Sequence, residues 1–378
     1  RRVVPVTIRN TRAALLLAVT ASPLVAQENW RPIGTVASGA TPTIVAPADP
    51  NLPQYRVQAG DTRFDGVVRI IMNRTDGTFV CSGSLLAGTA GTGILSAAHC
   101  FANAAGANIT TSVTIEVRSP QTGALLQSVT TAGSNVRIAP GYSGAVVEQQ
   151  DVAFVQLGTA LTTAGSGYSI FAGGSIMGQT INLAGYGATG NGITGANTGA
   201  QTWMRWGQNR FDTTCLDGST AATNCAGVLP GNPSADRSGF GGVLIGDFDD
   251  PTGAFNNNSS LTCFRFGICE TGVTGIPGEV NIGGGDSGSA AFLASSNTIL
   301  GVASFGSRRV DISPVPPFGA FGTALGYACV ANITGNAACQ ANFNWVQAQI
   351  IPEPSTYALM ATGLVGLVGI ARRRNKKA

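Results

Sequence analysis

Between residues 64 and 350 the apolar residues come in short bursts, and this limits the chain to one broad kind of architecture. The clearest are Val67-Val68-Arg69-Ile70-Ile71, Ser112-Val113-Thr114-Ile115-Glu116-Val117, Val152-Ala153-Phe154-Val155-Gln156-Leu157 and Ile299-Leu300-Gly301-Val302-Ala303. Each is rich in β-branched or aromatic residues and is bounded by Gly, Asn, Asp or Ser, which supply turns. Runs of this length suit strands and are too short for helices. With 52 glycines in 378 residues, turns are abundant. The pattern predicts an all-β barrel or sandwich. Asn342 to Ile350, carrying Trp345 and Val346, reads instead as a short terminal helix packing on the body. No internal repeat stands out. Residues 205–280 form a long Gly-, Asn- and Asp-rich stretch, and loops of that length are usually functional or stapled.

Hydrophobic residues make up 44% of the chain and charged residues 11%, which excludes a disordered chain. The formal charge of +3 belongs to the ends. Arg1, Arg2, Arg9 and Arg12 open the chain; Arg372, Arg373, Arg374, Lys376 and Lys377 close it; the body between is net acidic. It offers no basic face for DNA or RNA. Residues 1–26 read as a signal peptide: arginines, then Ala13 to Val19 as a short apolar run, then Pro23 and a small residue at Ala26. Residues 27–63, rich in Pro, Ala and Thr, read as a linker or pro-region. At the other end, Pro352-Glu353-Pro354-Ser355 precedes an apolar stretch from Tyr357 to Ala371 and then the basic cluster. Those three parts, over residues 351–378, resemble the PEP-CTERM sorting signal of Gram-negative bacteria. The resemblance implies export to the cell surface or beyond and processing by an exosortase-type enzyme. Membrane contact is then expected only through a short hydrophobic helix before processing.

Eight cysteines in an exported chain suggest disulfides. Pairing neighbours gives Cys81–Cys100, Cys215–Cys225, Cys263–Cys269 and Cys329–Cys339, one of 105 connectivities that eight cysteines allow. A metal site is not expected, because no CxxC pair occurs and His99 is the only histidine. Asp247, Asp249 and Asp250 match no complete calcium loop and read as a solvated turn.

Three islands carry chemistry. Ile94-Leu95-Ser96-Ala97-Ala98-His99-Cys100 leads an apolar strand into a histidine. Asp151-Val152-Ala153-Phe154 sets an acid at the head of a strand. Gly283-Gly284-Gly285-Asp286-Ser287-Gly288-Ser289 sets a serine in a glycine turn. A serine hydroxyl is a poor nucleophile until a base takes its proton. Imidazole suits that role because it titrates near neutrality. A carboxylate fixes the imidazole tautomer and stabilises the imidazolium. Glycines around the serine let main-chain N–H groups converge on an oxyanion, and Gly285 and Ser287 are the expected donors. This chemistry needs no cofactor.

These islands resemble the trypsin/chymotrypsin-like serine proteases. Ala97-Ala98-His99-Cys100 is similar to the motif of their general base, Asp151 to Phe154 to that of their acid, and Gly285-Asp286-Ser287-Gly288 to that of their nucleophile. The resemblance implies two six-stranded Greek-key β-barrels, about 64–165 and 166–350, packed against each other, with His99, Asp151 and Ser287 in the cleft. It implies a peptide or protein substrate and an acyl-enzyme on Ser287. It also implies a Cys81–Cys100 bridge, a second-barrel turn at Gly185-Tyr186-Gly187, and a substrate-binding strand edge at Ser304-Phe305-Gly306. Asn281, six residues before the serine, falls at the base of the primary pocket and makes it neutral, with Glu279 nearby.

The sequence departs from the family at Gly283, where many members carry a disulfide cysteine, and at Ser289, where they carry glycine. No Ile-Val-Gly-Gly activation site precedes the first barrel; Phe64-Asp65-Gly66-Val67-Val68 stands there. In zymogen members a new amino terminus pairs with the acid before the nucleophile, here Asp286, so its partner is an open question. These departures keep a rival reading in play, an inactive protease-like surface protein that binds partners.

Overall fold

The computed structural model describes residues 44–46, 53–144, 148–174, 176, 178–191, 195–196, 199, 201–211, 213–215, 242–248, 279–307, 324–350 and 362. After β1 (Ile44–Ala46), a first group of strands runs β2 (Val67–Arg74), β3 (Gly77–Leu85), β4 (Gly93–Ser96), β5 (Thr110–Arg118), β6 (Leu125–Ala132), β7 (Val136–Ile138) and β8 (Ala153–Gln156). Then come β9 (Thr180–Gly185), β10 (Thr189–Asn191), β11 (Gly195–Ala196), β12 (Arg205–Arg210), β13 (Thr213–Cys215) and β14 (Val243–Asp247). The last among the described residues are β15 (Ala290–Leu293), β16 (Thr298–Ser307), β17 (Ala324–Cys329) and the helix α1 (Ala337–Ile350).

The strands form two curled half-barrel sheets, ordered β6-β5-β2-β3-β4-β8-β7 and β12-β9-β15-β16-β17-β14-β13. A small sheet β1-β10-β11 stands beside them. The fold class is the one expected, with seven strands in each large sheet where six were expected. The short edge strands β7 and β13, three residues each, extend the count.

Alternation decides which face each residue covers. On β2, Val68, Ile70 and Met72 point into the first core with Ile94, Val113, Ile115, Val117 and Val155. Their neighbours Val67, Leu95 and Phe154 point the other way and pack against Tyr186, Phe292, Val302 and Val330 of the second unit. Strands β4 and β8 are therefore buried on both faces, which is why their sequences are continuously apolar. Tyr168 and Phe292 stack 4.5 Å apart in this shared layer. A third cluster, including Ile181, Leu183, Leu244, Leu300 and Leu325, fills the second sheet. Burying one such side chain contributes about 1.5–3 kcal/mol.

Helix α1 starts five residues before the predicted Asn342. The Asn336 side chain accepts the N–H of Cys339 at 2.9 Å, the usual N-cap geometry. Cys339 is bonded to Cys329 of β17, and the Asn342 amide donates to the Cys329 carbonyl at 2.8 Å, so the helix is fastened to the second sheet. Cys81 and Cys100 form the other described disulfide. The expected Cys215–Cys225 and Cys263–Cys269 pairings, Asp249 and Asp250, residues 1–26 and the tail stretch from Tyr357 to Ala371 lie outside the described residues or side chains, apart from Thr362. Among the described residues no helix is long and apolar enough to cross a membrane. From the stretch read as a linker, Tyr55 and Val57 are buried against the body.

Candidate active site

Strand pairing brings two of the islands to one place. β4 and β8 are antiparallel with Ser96 opposite Ala153, so the chain leaving β4 and the chain entering β8 lie at the same end. His99 comes three residues after Ser96 in a 3-10 turn (Ala98–Cys100), and Asp151 comes two before Ala153. His99 Nδ1 lies 2.7 Å from Asp151 Oδ2, and the His99 main-chain N–H donates to Oδ1 at 2.8 Å. The Ser304 hydroxyl of β16 donates to Oδ2 at 2.5 Å. Three donors thus converge on a carboxylate with no exposed surface. They hold the imidazole with Nδ1 toward the acid and Nε2 away from it. Arg74 steadies the turn by donating to the carbonyls of His99 (3.1 Å) and Cys100 (3.3 Å).

The third island docks on the same strand. Gly288 has φ +79° and sits so tightly that a Cβ there would lie 2.0 Å from Ser96 Oγ and 2.7 Å from Ala97 N. Cys100 Sγ lies 3.8 Å from the Ser287 carbonyl, and the Ser82 N–H of β3 donates to that carbonyl at 2.9 Å. Ser287 is therefore seated against the segment that carries His99. The residue is 1% exposed, and Oγ makes no hydrogen bond among the described residues.

Peptide orientation around Ser287 follows from the acceptors. The Gly284 carbonyl accepts the Ala188 N–H at 2.8 Å, which turns the N–H of the same peptide, that of Gly285, the opposite way. The Asp286 carbonyl accepts the Ser289 N–H at 2.8 Å and does the same for the Ser287 N–H. Neither N–H has a main-chain acceptor among the described residues. Gly285 adopts φ +103°, a value that suits glycine alone.

Asp286 is buried on the opposite side of this turn. Its Oδ1 accepts the Gly187 N–H at 2.7 Å and its Oδ2 the Gly283 N–H at 2.8 Å. Burial pushes its pKa up to about 6, with these two hydrogen bonds working against the rise. The described partners of Asp286 are thus main-chain donors. Gly283, where a cysteine was the alternative, uses its N–H here, and Ser289 is not among the residues at positive φ; its carbonyl accepts the Ala303 N–H at 2.8 Å. The Gly185-Tyr186-Gly187 turn supplies one of the donors, and a Cβ on Gly187 would meet Asp286 Cγ at 2.5 Å.

The expected specificity residues fall as follows. Ser304 points its hydroxyl at Asp151; Phe305 is buried and Gly306 exposed. β15 pairs with β16 only as far as Val302, whereas β17 continues to Ser307, so among the described residues no strand pairs with the other edge of Ser304 to Ser307. Asn281 is fully buried; its Oδ1 accepts the Ile282 N–H at 2.8 Å and its Nδ2 has no partner among the described residues. Glu279 is 4% exposed and its main chain bridges to Gln208. The sequence reading missed the hydroxyls of Ser82 and Ser304; serine hydroxyls in a strand carry no signal of their distant partners. Cys81, His99 and Cys100 lie close together, but both sulfurs are in the disulfide.

Two half-barrels, a buried His–Asp pair and a serine in a glycine turn docked beside it make an arrangement similar to that of the trypsin-like serine proteases. Residues 54–185 match the family model described as "Lysyl endopeptidase, C-terminal domain", and residues 351–374 match the PEP-CTERM protein-sorting motif. The chain is thus similar to a trypsin-like protease family over residues 54–185 and to PEP-CTERM proteins over its tail. No curated protein matches it. Among solved structures it is similar to HL collagenase, at 16% identity over 79% of this chain and 97% of that one, with a TM-score of 0.47. It is also similar to the thermostable serine protease AL20 from an extremophilic microorganism, at 13% identity over 76% and 98%, with a TM-score of 0.46. A third is the protease Anisep from Arthrobacter nicotinovorans, at 15% identity over 76% and 98%, with a TM-score of 0.45.

Proposed function

We propose that this chain is an exported serine endopeptidase that hydrolyses peptide bonds through an acyl-enzyme on Ser287. In this reading the peptidase spans residues 64–350, and the flanking segments serve export and sorting. His99 takes the Ser287 proton as the hydroxyl oxygen bonds to the peptide carbonyl carbon, then gives it to the leaving amine. Water, activated by the same imidazole, hydrolyses the ester. Asp151 holds the tautomer with the proton on Nδ1. The N–H groups of Gly285 and Ser287 receive the oxyanion. The edge of β16 from Ser304 to Ser307 takes the substrate main chain as an added strand.

The observation that carries this reading is the 2.7 Å contact of His99 Nδ1 with a fully buried Asp151, beside a serine turn that fits only when glycine stands at 288. A neutral Asn281 favours uncharged polar or apolar side chains over lysine. The lysyl endopeptidase match ends at residue 185 and does not reach this position. The PEP-CTERM match supports export and exosortase-type processing.

The test is labelling with a fluorophosphonate, with hydrolysis of a denatured protein mixture alongside. The full chain is expected to label at Ser287 and to cleave; Ser287→Ala is expected to do neither while still being exported. Equal cleavage by the two proteins would overturn the reading. Absence of labelling in a folded wild-type protein would favour the rival, an inactive binding protein.

A further inference from the structure

We propose that Ser82, a first-barrel residue not among the expected site residues, is a positioning residue that fixes the oxyanion turn of the second barrel. The inference rests on the proposed peptidase reading and assigns a role beyond its triad and N–H donors.

Ser82 lies on β3, 203 positions from the turn, and has no exposed surface. All its polar atoms are engaged. Its main-chain N–H donates to the Ser287 carbonyl at 2.9 Å, and its carbonyl accepts the Ser96 hydroxyl at 2.9 Å. Its own hydroxyl donates to the Gly285 carbonyl at 2.9 Å and accepts the Tyr186 N–H at 3.0 Å. One residue thus holds the carbonyls of both Gly285 and Ser287, the two residues whose N–H groups form the proposed oxyanion hole.

A peptide unit is a rigid plane, so fixing its oxygen and its N–H fixes the torsions on either side. The plane joining Gly285 to Asp286 is held at its oxygen by Ser82 Oγ and at its N–H by the Gly283 carbonyl, 2.9 Å away. That sets ψ of Gly285 and φ of Asp286, and so the direction in which the Gly285 and Ser287 N–H groups point. The restraint matters because Gly285 is a glycine at φ +103°, where rotation of the adjoining peptides meets little steric resistance. Without the hydroxyl the Gly285 carbonyl is a buried acceptor lacking its donor, which favours rotation toward water or another donor. The Tyr186 bond adds a second restraint. It ties Ser82 to the Gly185-Tyr186-Gly187 turn, whose Gly187 N–H holds Asp286 from behind.

The hydroxyl touches no substrate atom in this arrangement, so its effect should fall on the step that builds negative charge. Ser82→Ala keeps the main-chain bond to Ser287 and removes only the hydroxyl. On a peptide anilide substrate we expect kcat to fall about tenfold, with KM within twofold of wild type. That is smaller than the 10²–10³ typical of losing an oxyanion donor itself, because the donors remain and only their aim is loosened. A peptide trifluoromethyl ketone, which forms a tetrahedral oxyanion on the serine, should lose affinity about tenfold in parallel. Ser82→Gly, which leaves room for a water where the hydroxyl was, should fall between the two, and it replaces Ser82→Ala if that variant does not fold. Unchanged kcat and ketone affinity in the folded variant would overturn the inference, as would a rise in KM with kcat intact. An inactive wild-type protein would instead defeat the peptidase reading on which it rests.

Discussion

Replacing Asp151 by asparagine probes the site most sharply, because the two residues have nearly the same shape and differ in charge and in what they can donate. Asp151 accepts three hydrogen bonds: Oδ1 from the His99 main-chain N–H at 2.8 Å, and Oδ2 from His99 Nδ1 at 2.7 Å and from the Ser304 hydroxyl at 2.5 Å. An asparagine must put an NH₂ on one of these sides. Placed against the main-chain N–H, it sets two donors face to face in a fully buried pocket, at about 1–3 kcal/mol for each group left unsatisfied. Placed against Nδ1, it is satisfied if the imidazole shifts its proton to Nε2, a change that costs little because both tautomers are neutral. The second arrangement therefore wins, and Ser304, which can donate or accept, turns its hydroxyl to suit. The ring keeps its place but presents N–H where the base should be. For this change of tautomer in a Ser-His-Asp site the loss in kcat is about 10⁴, equivalent to about 5.5 kcal/mol of transition-state stabilisation. The assay is turnover of a chromogenic peptide ester and amide by wild type and Asp151→Asn, with denaturant unfolding to show that the fold survives. A variant within tenfold of wild-type kcat would refute the tautomer argument and, with it, the assignment of Asp151.

Two further predictions concern stability. Cys81 and Cys100 are separated by 19 positions, and closing a loop of that length contributes about 3 kcal/mol by the loop-entropy relation; the Cys81→Ser, Cys100→Ser double variant should lose that amount in denaturant titration, and a loss under 1 kcal/mol would count against it. Asp286, lifted from 3.8 to about 6 by burial, binds its proton more tightly folded than unfolded, so its contribution is fully present below pH 3.8 and disappears as pH rises through about 6. The span is about 3 kcal/mol, and the stability difference between wild type and Asp286→Asn should drift by that order between about pH 4 and about pH 7; a pH-independent difference would contradict the burial argument.

The sequence exposes the parts of this site where chemistry or geometry leaves few choices of residue. A base, an acid and a nucleophile each demand a particular side chain. Gly285 and Gly288, at φ +103° and +79°, demand glycine, so those islands stand out without any structure. Strands β4 and β8 of the first sheet are legible because, buried on both faces, they must be continuously apolar. What escapes is everything carried by residues that many sequences tolerate. Ser304 meets Asp151 across 153 positions and Ser82 meets Gly285 across 203, and neither strand would look different without the hydroxyl. The early start of α1 escapes because Ala337-Ala338-Cys339-Gln340-Ala341 has no apolar periodicity; its start is set by the Asn336 cap and the Cys329–Cys339 bridge. The strands β7 and β13 escape because three residues are too few to form a pattern.

The surroundings of Asp286 bear on how the turn from Gly283 to Ser289 keeps its shape. A carboxylate behind Ser287 pulls the turn inward only if something on the far side holds it. Here one main-chain N–H reaches each oxygen, from Gly187 of the preceding turn and from Gly283 of its own loop. Both donors are fixed in the fold, so the holding force does not depend on a mobile cation, but neutral donors compensate burial less completely than a charge does. The raised pKa is the visible residue of that incomplete compensation. Gly187 can approach this closely only because it lacks a side chain, since a Cβ would stand 2.5 Å from the carboxylate carbon. The same turn offers the Tyr186 N–H to Ser82 and the Ala188 N–H to the Gly284 carbonyl. Three consecutive N–H groups therefore grip the Ser287 loop: one through its carboxylate, one through the Gly284 carbonyl, and one through Ser82, which holds the Gly285 and Ser287 carbonyls. The orientation of the Gly285 and Ser287 peptides is consequently set by residues of both large sheets, Ser82 from the first and the 186–188 segment from the second.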